Sequence, residues 1–141
     1  MIDFKIECVE ETDVSNIKCE EEGMIFILEN KNRQKFLKVR VDGCQIVKGC
    51  KCDYLLVNTV TGDEYFVDLK GKDVGHALEQ LEGALTKLSD KTNVTKSTKS
   101  FAIVKSVYPK LSTKIQVYKK KFKETYKSSL DIKENRYSIS A

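Results

Sequence analysis

Three residues carry the chemical interest of this chain: Asp53, Asp68 and Lys70. Asp68 and Lys70 form an Asp-x-Lys, and Asp53 stands fifteen positions before it, with the turn signal Thr61-Gly62 in between. Two carboxylates offer hard oxygen ligands to Mg²⁺ or Mn²⁺ and leave positions open to water and to a phosphate oxygen. A cation held that way acidifies a water and screens charge on a phosphoryl group. A lysine beside it orients the water or stabilises the developing anion. The bland alternative is a structural Asp–Lys ion pair next to a turn.

The elements around these residues decide whether they meet. Cys52 to Asn58 and Glu64 to Lys70 read as strands that are apolar on both faces, with Tyr54 and Leu56 against Leu55 and Val57, then Tyr65 and Val67 against Phe66 and Leu69. Such strands are central ones, covered above and below. With a two-residue loop at Thr61-Gly62, Asp53 falls opposite Lys70 and Leu55 opposite Asp68. The three site residues then share one face at one end of the hairpin. Asp73 to Leu88 has apolar residues at three- and four-residue spacing, the pattern of a helix, with Asp73 as its N-cap. Asp73, His76, Gln80 and Gly83 form a stripe beside its apolar face.

Earlier in the chain, Met24 to Leu28 and Phe36 to Val41 read as strands, Asp42-Gly43 as a turn, and Gln45 to Val47 as further strand. Asp3 to Val9 suggests a short strand, and Glu10 to Glu22 a short helix or a loop. Later, Ser89 to Ser100 reads as an exposed loop and Phe101 to Val104 as a buried strand reached by a crossover. Pro109 marks a break, and Thr113 to Lys127 a second helix with Ile115, Tyr118, Phe122 and Tyr126 on its inner side. These elements give one domain over 1–127 and a loose tail over 128–141.

Composition bounds the rest. A chain of 141 residues, 40% hydrophobic and 33% charged, is sized for a single core and has no apolar run long enough to span a bilayer. Without a secretory pattern at its start, it reads as cytoplasmic and free of membrane. Five cysteines, an odd number, argue against a disulfide framework, and the Cys44, Cys50, Cys52 spacing is not that of a zinc site. Free thiols are expected. The net charge is +4, unevenly spread: residues 1–23 hold eight acids and two lysines, and residues 91–127 hold eleven lysines and one acid. The lysine block is either a solvated surface or the footprint of a polyanion. Lys105, Lys114, Lys119, Lys120, Lys121 and Lys123 are its candidate phosphate contacts.

The stretch Lys51-Cys52-Asp53-Tyr54-Leu55-Leu56-Val57, followed by Tyr65-Phe66-Val67-Asp68-Leu69-Lys70-Gly71, resembles the motif-bearing hairpin of the PD-(D/E)xK nuclease superfamily. Asp53 matches the first motif aspartate, and Asp68 with Lys70 the (D/E)xK pair. The resemblance covers residues 36–107. It implies an α/β, restriction-endonuclease-like three-layer core, with a central mixed β-sheet flanked by helices. It also implies metal-dependent cleavage of DNA or RNA, with Mg²⁺ or Mn²⁺ on Asp53 and Asp68. Gln80 stands where the RecB-type branch places a helix glutamine aimed at the catalytic site; read alone, it is as well a solvent-facing residue. Small domains of this kind often cleave as homodimers. The chain departs from the pattern in having Cys52 before Asp53 where a proline is usual. The acidic residue that many members add from an N-terminal helix has only undistinguished candidates in Glu7, Glu10, Glu11 and Glu29. Without that acid, the same fold would serve as a non-cleaving subunit of a nucleic-acid-processing or defence complex. A small cytosolic regulator unrelated to nucleic acid is the third reading.

Overall fold

Alternating burial along the strands sorts their side chains into two cores, and that sorting defines the layers. The computed structural model describes residues 2–71, 73–105 and 112–141, with Lys70, Gly71 and Ser112 as backbone only. A single 3₁₀ turn at Ile6–Cys8 leads into β1 (Val9–Thr12), β2 (Asn16–Glu21), β3 (Met24–Glu29) and β4 (Phe36–Arg40). The motif hairpin is β5 (Tyr54–Asn58) and β6 (Glu64–Gly71), followed by α1 (Val74–Leu88), β7 (Thr98–Val104), α2 (Ser112–Thr125), β8 (Ser128–Glu134) and β9 (Arg136–Ser140). Six strands form a mixed sheet in the order β1-β4-β5-β6-β7-β8, and three form a second sheet in the order β2-β3-β9. β1, β4, β5 and β6 run antiparallel to their neighbours, whereas β7 and β8 continue parallel to β6 after the crossovers through α1 and α2.

One core lies between the large sheet and the helices, built from Leu55, Phe66 and Ala102 against Ala77, Leu81, Leu85 and Phe122. The other lies between the two sheets, where Phe26, Phe36, Tyr65 and Phe101 gather around Leu56, Val67 and Leu69. Its rings touch, with centroids 4.8 Å apart for Phe26 and Phe101. Both faces of β5 and β6 are therefore covered, as their composition requires. The covering is not the expected one: helices lie on one face only, and the three-stranded sheet covers the other. The acidic stretch 10–22, expected as helix or loop, supplies β1 and β2 instead. β2 alternates exposed and buried residues, with Ile17 and Cys19 inward, which satisfies a half-covered strand.

Residues 128–141 depart from expectation as well. They are not a loose tail: β8 completes the large sheet beside β7, and β9 lies parallel to β3 in the small one. Gln45 to Val47 does not extend a strand; the segment turns, with the Ile46 N–H donating to the Val41 carbonyl at 2.9 Å. The expectation of free thiols fails at Cys8 and Cys44, which form a disulfide with Cα atoms 5.6 Å apart. It holds for Cys19, Cys50 and Cys52. The break expected at Pro109 lies outside the described residues.

Candidate functional site

The hairpin turn is longer than two residues, and this resets the pairing around the site. The Asn58 side chain accepts from the Val60 and Thr61 N–H groups at 2.9 and 3.1 Å, and the Asn58 carbonyl from Gly62 at 2.8 Å. Gly62 takes a φ of +80°, a conformation that favours glycine. In the resulting register Tyr54 pairs with Val67 and Leu55 with Phe66, so Leu55 does not face Asp68, nor Asp53 Lys70. The Asp53 N–H donates to the Val67 carbonyl at 3.1 Å, and the Asp53 carboxylate accepts from the Leu69 N–H at 2.6 Å. These two bonds straddle Asp68 and set Asp53 beside it. Both aspartates are buried, Asp53 at 4% and Asp68 at 0% exposure.

Lys70 belongs to β6, but its side chain lies outside the described residues. The β6–β7 register shifts between Asp68 and Gly71.

The segment before Asp53 is clamped to α1 through the stripe that the sequence singled out. Gln80 is buried and does not face solvent; its Oε1 accepts from the Lys51 N–H at 2.8 Å, and its Nε2 meets His76 Nε2 at 3.2 Å. Gly83 lets the Cys50 main chain approach so closely that an added Cβ would lie 2.4 Å from the Cys50 carbonyl oxygen. Lys87 Nζ donates to the Lys48 carbonyl at 3.3 Å. Asp73 caps the helix, accepting from the His76 N–H at 3.3 Å. Gln80 thus ties the segment that precedes Asp53 to α1.

Asp53 lines a cleft of about 220 Å³ with Glu21, Glu22, Arg40 and Asp42. None of Glu7, Glu10, Glu11 or Glu29 is among them. Glu21 comes from the end of β2, and only the hairpin turn at Glu22-Gly23 brings it there. That turn signal was available in the sequence; the packing of the small sheet on β5 was not. Glu21 also accepts from the Tyr54 hydroxyl at 3.2 Å. Burial, then the charge of Glu21, pushes Tyr54 up to about 12. Burial drives the Cys52 thiol well above its usual range, and the charges of Asp68 and Asp53 add to the rise. Cys19 is pushed up to about 12, chiefly by burial, with Lys38 opposing and Asp53 reinforcing the shift. Both thiols stay protonated and inert at neutral pH.

Five of the six candidate lysines lie on α2. Lys105 is exposed just after β7, and Lys114, Lys120 and Lys123 are exposed on α2. Lys119 is half-buried, and Lys121 is held by Glu82 of α1 at 2.7 Å. Lys114 Nζ lies over Gly75 in the first turn of α1. Among the described residues no helix is long and apolar enough to cross a membrane. No protein-family model, no curated protein and no solved structure matches the chain.

Proposed function

We propose that this chain is a metal-dependent nuclease that hydrolyses phosphodiester bonds of DNA or RNA. The observation that carries the reading is the grip of Asp53 on β6, which bonds that strand on either side of Asp68 and leaves both aspartates buried. The element order supports it: an antiparallel β4-β5-β6 run, a helix, then β7 parallel to β6. Asp68 lies in the carboxyl-terminal half of β6 and Asp53 immediately before β5, at the same end of the hairpin. Asp53 and Asp68 are the residues that would hold Mg²⁺ or Mn²⁺. The donor set fits such an ion, which takes hard oxygens from one or two carboxylates and keeps several waters. It does not fit zinc, which takes four ligands rich in sulfur and nitrogen. Bound there, the ion supplies water activation and charge neutralisation. Arg40 faces the same cleft and offers a guanidinium to a phosphate, and Gln80 keeps the Asp53 segment in place. Lys70 is proposed as the residue that assists the attacking water, and exposed Lys105, Lys114, Lys120 and Lys123 as phosphate contacts.

The test combines cleavage with metal binding. Wild type, Asp53→Asn, Asp68→Asn and Lys70→Ala are incubated with single-stranded, duplex and branched DNA and with RNA, with Mg²⁺ or Mn²⁺. Wild type should cut only with metal, and each variant should lose at least roughly a hundredfold in rate. Mn²⁺ should raise the melting temperature of wild type and Lys70→Ala, but not of Asp68→Asn. Cutting that survives Asp68→Asn sinks the proposal.

A second reading has one observation in its favour. Among the described residues no group of three or more His, Cys, Asp or Glu side chains is gathered for an ion. A nuclease-like binding subunit needs none. It would bind nucleic acid with an affinity that falls steeply with salt, as released counterions require, and cut nothing.

A further inference from the structure

A cavity of about 840 Å³ opens at the end of the molecule away from the aspartates. It lies between the C-terminal ends of α1 and α2 and the segment that leads into β7. Its size falls in the range of small-molecule sites, roughly 300–1,000 Å³. Glu64, whose carboxylate lies beneath its floor, starts β6, and Asp68 is four residues further on, about 13 Å along the strand.

The floor is polar, rigid and satisfied. Buried Glu64 accepts from Ser89 Oγ at 2.7 Å, Thr98 Oγ1 at 3.0 Å and the Asp90 N–H at 2.8 Å, and pairs with Lys96 at 3.2 Å. A buried ion pair with all these bonds in place holds the cavity open rather than reacting. The walls are apolar. Leu85 comes from α1, and the Tyr126 ring is fixed by its hydroxyl on Glu82 at 2.9 Å and by Phe122 edge-on at 5.5 Å. Val94 lines the same space while 88% exposed, an apolar side chain that the protein itself leaves uncovered.

The rim carries two ammonium groups with capacity to spare. Lys91 Nζ donates to the Thr86 carbonyl at 3.3 Å, and Lys127 Nζ to the Glu124 carbonyl at 3.0 Å. Those bonds offset the negative ends of the two helices. Each ammonium has three donors, so two remain on each. Neither is paired with a carboxylate among the described residues. The rim carboxylate, Asp90, accepts from the Thr92 N–H at 3.0 Å and the Thr92 hydroxyl at 2.6 Å.

We infer that this cavity binds a small amphipathic anion, with a ring-sized apolar body against Leu85, Val94 and Tyr126 and one anionic head at Lys91 and Lys127. The inference is independent of the nuclease reading. The probe is 1-anilinonaphthalene-8-sulfonate, and its control is N-phenyl-1-naphthylamine, the same rings without the sulfonate. Titrated into the full, folded, oxidised chain, the sulfonate should bind one to one with a dissociation constant on the order of 10–100 µM, and the neutral dye roughly tenfold more weakly. Thr86→Trp, which fills the mouth from α1, and Val94→Asp, which charges the opposite wall, should each abolish binding. Both positions are exposed, and an unchanged melting temperature confirms that the variants fold. Lys127→Gln should weaken the sulfonate roughly tenfold and leave the neutral dye alone. Asp68→Asn should change nothing. Unsaturable binding, or binding indifferent to Thr86→Trp and Val94→Asp, overturns the site, and equal affinity for the two dyes overturns the anionic head.

Discussion

Asp53 makes a bond that an ordinary strand residue would leave to its main chain. Where the β5–β6 ladder ends, its carboxylate takes the Leu69 N–H. The acid thus closes the sheet end while lying beside Asp68. The same neighbourhood suppresses ionisation of nearby acids, and this gives a pH signature. The Cys19 thiol has a pKa of about 12 in the fold against an ordinary 9.0. Below pH 9 it is protonated folded or unfolded, so its contribution is fully present. As pH rises from 9 to 12 only the unfolded chain ionises, and stability is lost, by at most about 4 kcal/mol at about 1.36 kcal/mol per unit. Tyr54, raised from 10.0 to about 12, adds to the loss within the same window. Urea unfolding between pH 8 and 11.5 should show this decline, and Cys19→Ala should flatten it. An unchanged slope in that variant means that Cys19 is not the titrating group. At this scale the sequence singled out Asp53 and Asp68 and was silent about their bonds. The turn at Asn58 shifted the expected pairing by two positions, and a shift of two keeps every side chain on its own face. Leu55 and Phe66 accordingly share the helix-side core, as the alternation required.

Helix α1 shows what periodicity reveals and what it cannot. Its apolar face and its cap at Asp73 were legible, because both follow from residue type and spacing. The second stripe, Asp73, His76, Gln80 and Gly83, was visible as a stripe, but its partner was not. That partner is the irregular segment 48–51, which has no period to read. The clamp makes two glycines of one helix respond oppositely to one substitution. Alanine favours a helix interior over glycine by up to about 1 kcal/mol. At Gly75 the nearest atom to an added Cβ is 3.4 Å away, an ordinary contact, so Gly75→Ala should be neutral or stabilising. At Gly83 the Cβ would fall 2.4 Å from the Cys50 carbonyl oxygen and 2.5 Å from the Cys50 Cβ. Relief requires backbone movement, so Gly83→Ala should destabilise by roughly 1–3 kcal/mol and displace the Lys51–Asp53 segment. Chemical denaturation of both variants decides the point: two shifts of the same sign contradict the clamp.

At the scale of the whole molecule, the features the sequence concealed are those made by distant partners. An odd cysteine count hid the Cys8–Cys44 bond, which ties the N-terminal segment to the turn carrying Asp42. With a sequence separation of 36, it should contribute about 4 kcal/mol by constraining the unfolded chain. Dithiol reduction should therefore lower the melting temperature markedly, and thiol-specific labelling of unheated protein should mark Cys50 alone before reduction. Cytosolic thiols are kept reduced, so a cytoplasmic site of action predicts an open bond in the cell, which labelling in lysate reads directly. The last two strands were hidden differently. β8 and β9 are half-exposed, with Leu130, Ile132, Tyr137 and Ile139 spaced thinly among polar residues, and such edge strands look like a tail. Yet they hold both cores shut. Leu130 is buried under the helices, Ser128 shares a hydrogen bond of 2.8 Å with buried Ser100, and Tyr137 packs on Phe101 at 6.0 Å. The Asn135 N–H reaches the Val104 carbonyl at 2.8 Å, so the corner between β8 and β9 is pinned to the end of β7. A chain ending at Lys127 would expose the open edge of β7, uncover Phe101 and leave β3 without its parallel neighbour. Burying one large apolar side chain contributes about 1.5–3 kcal/mol, so losing Leu130, Tyr137 and Ile139 and uncovering Phe101 removes much of the roughly 5–15 kcal/mol that stabilises an ordinary domain. The truncated chain should show no cooperative thermal transition by circular dichroism, whereas removal of Ala141 alone should leave the transition close to that of the full chain. A sharp transition for residues 1–127 would show that the first 127 residues are the folding unit and that β8 and β9 merely decorate it.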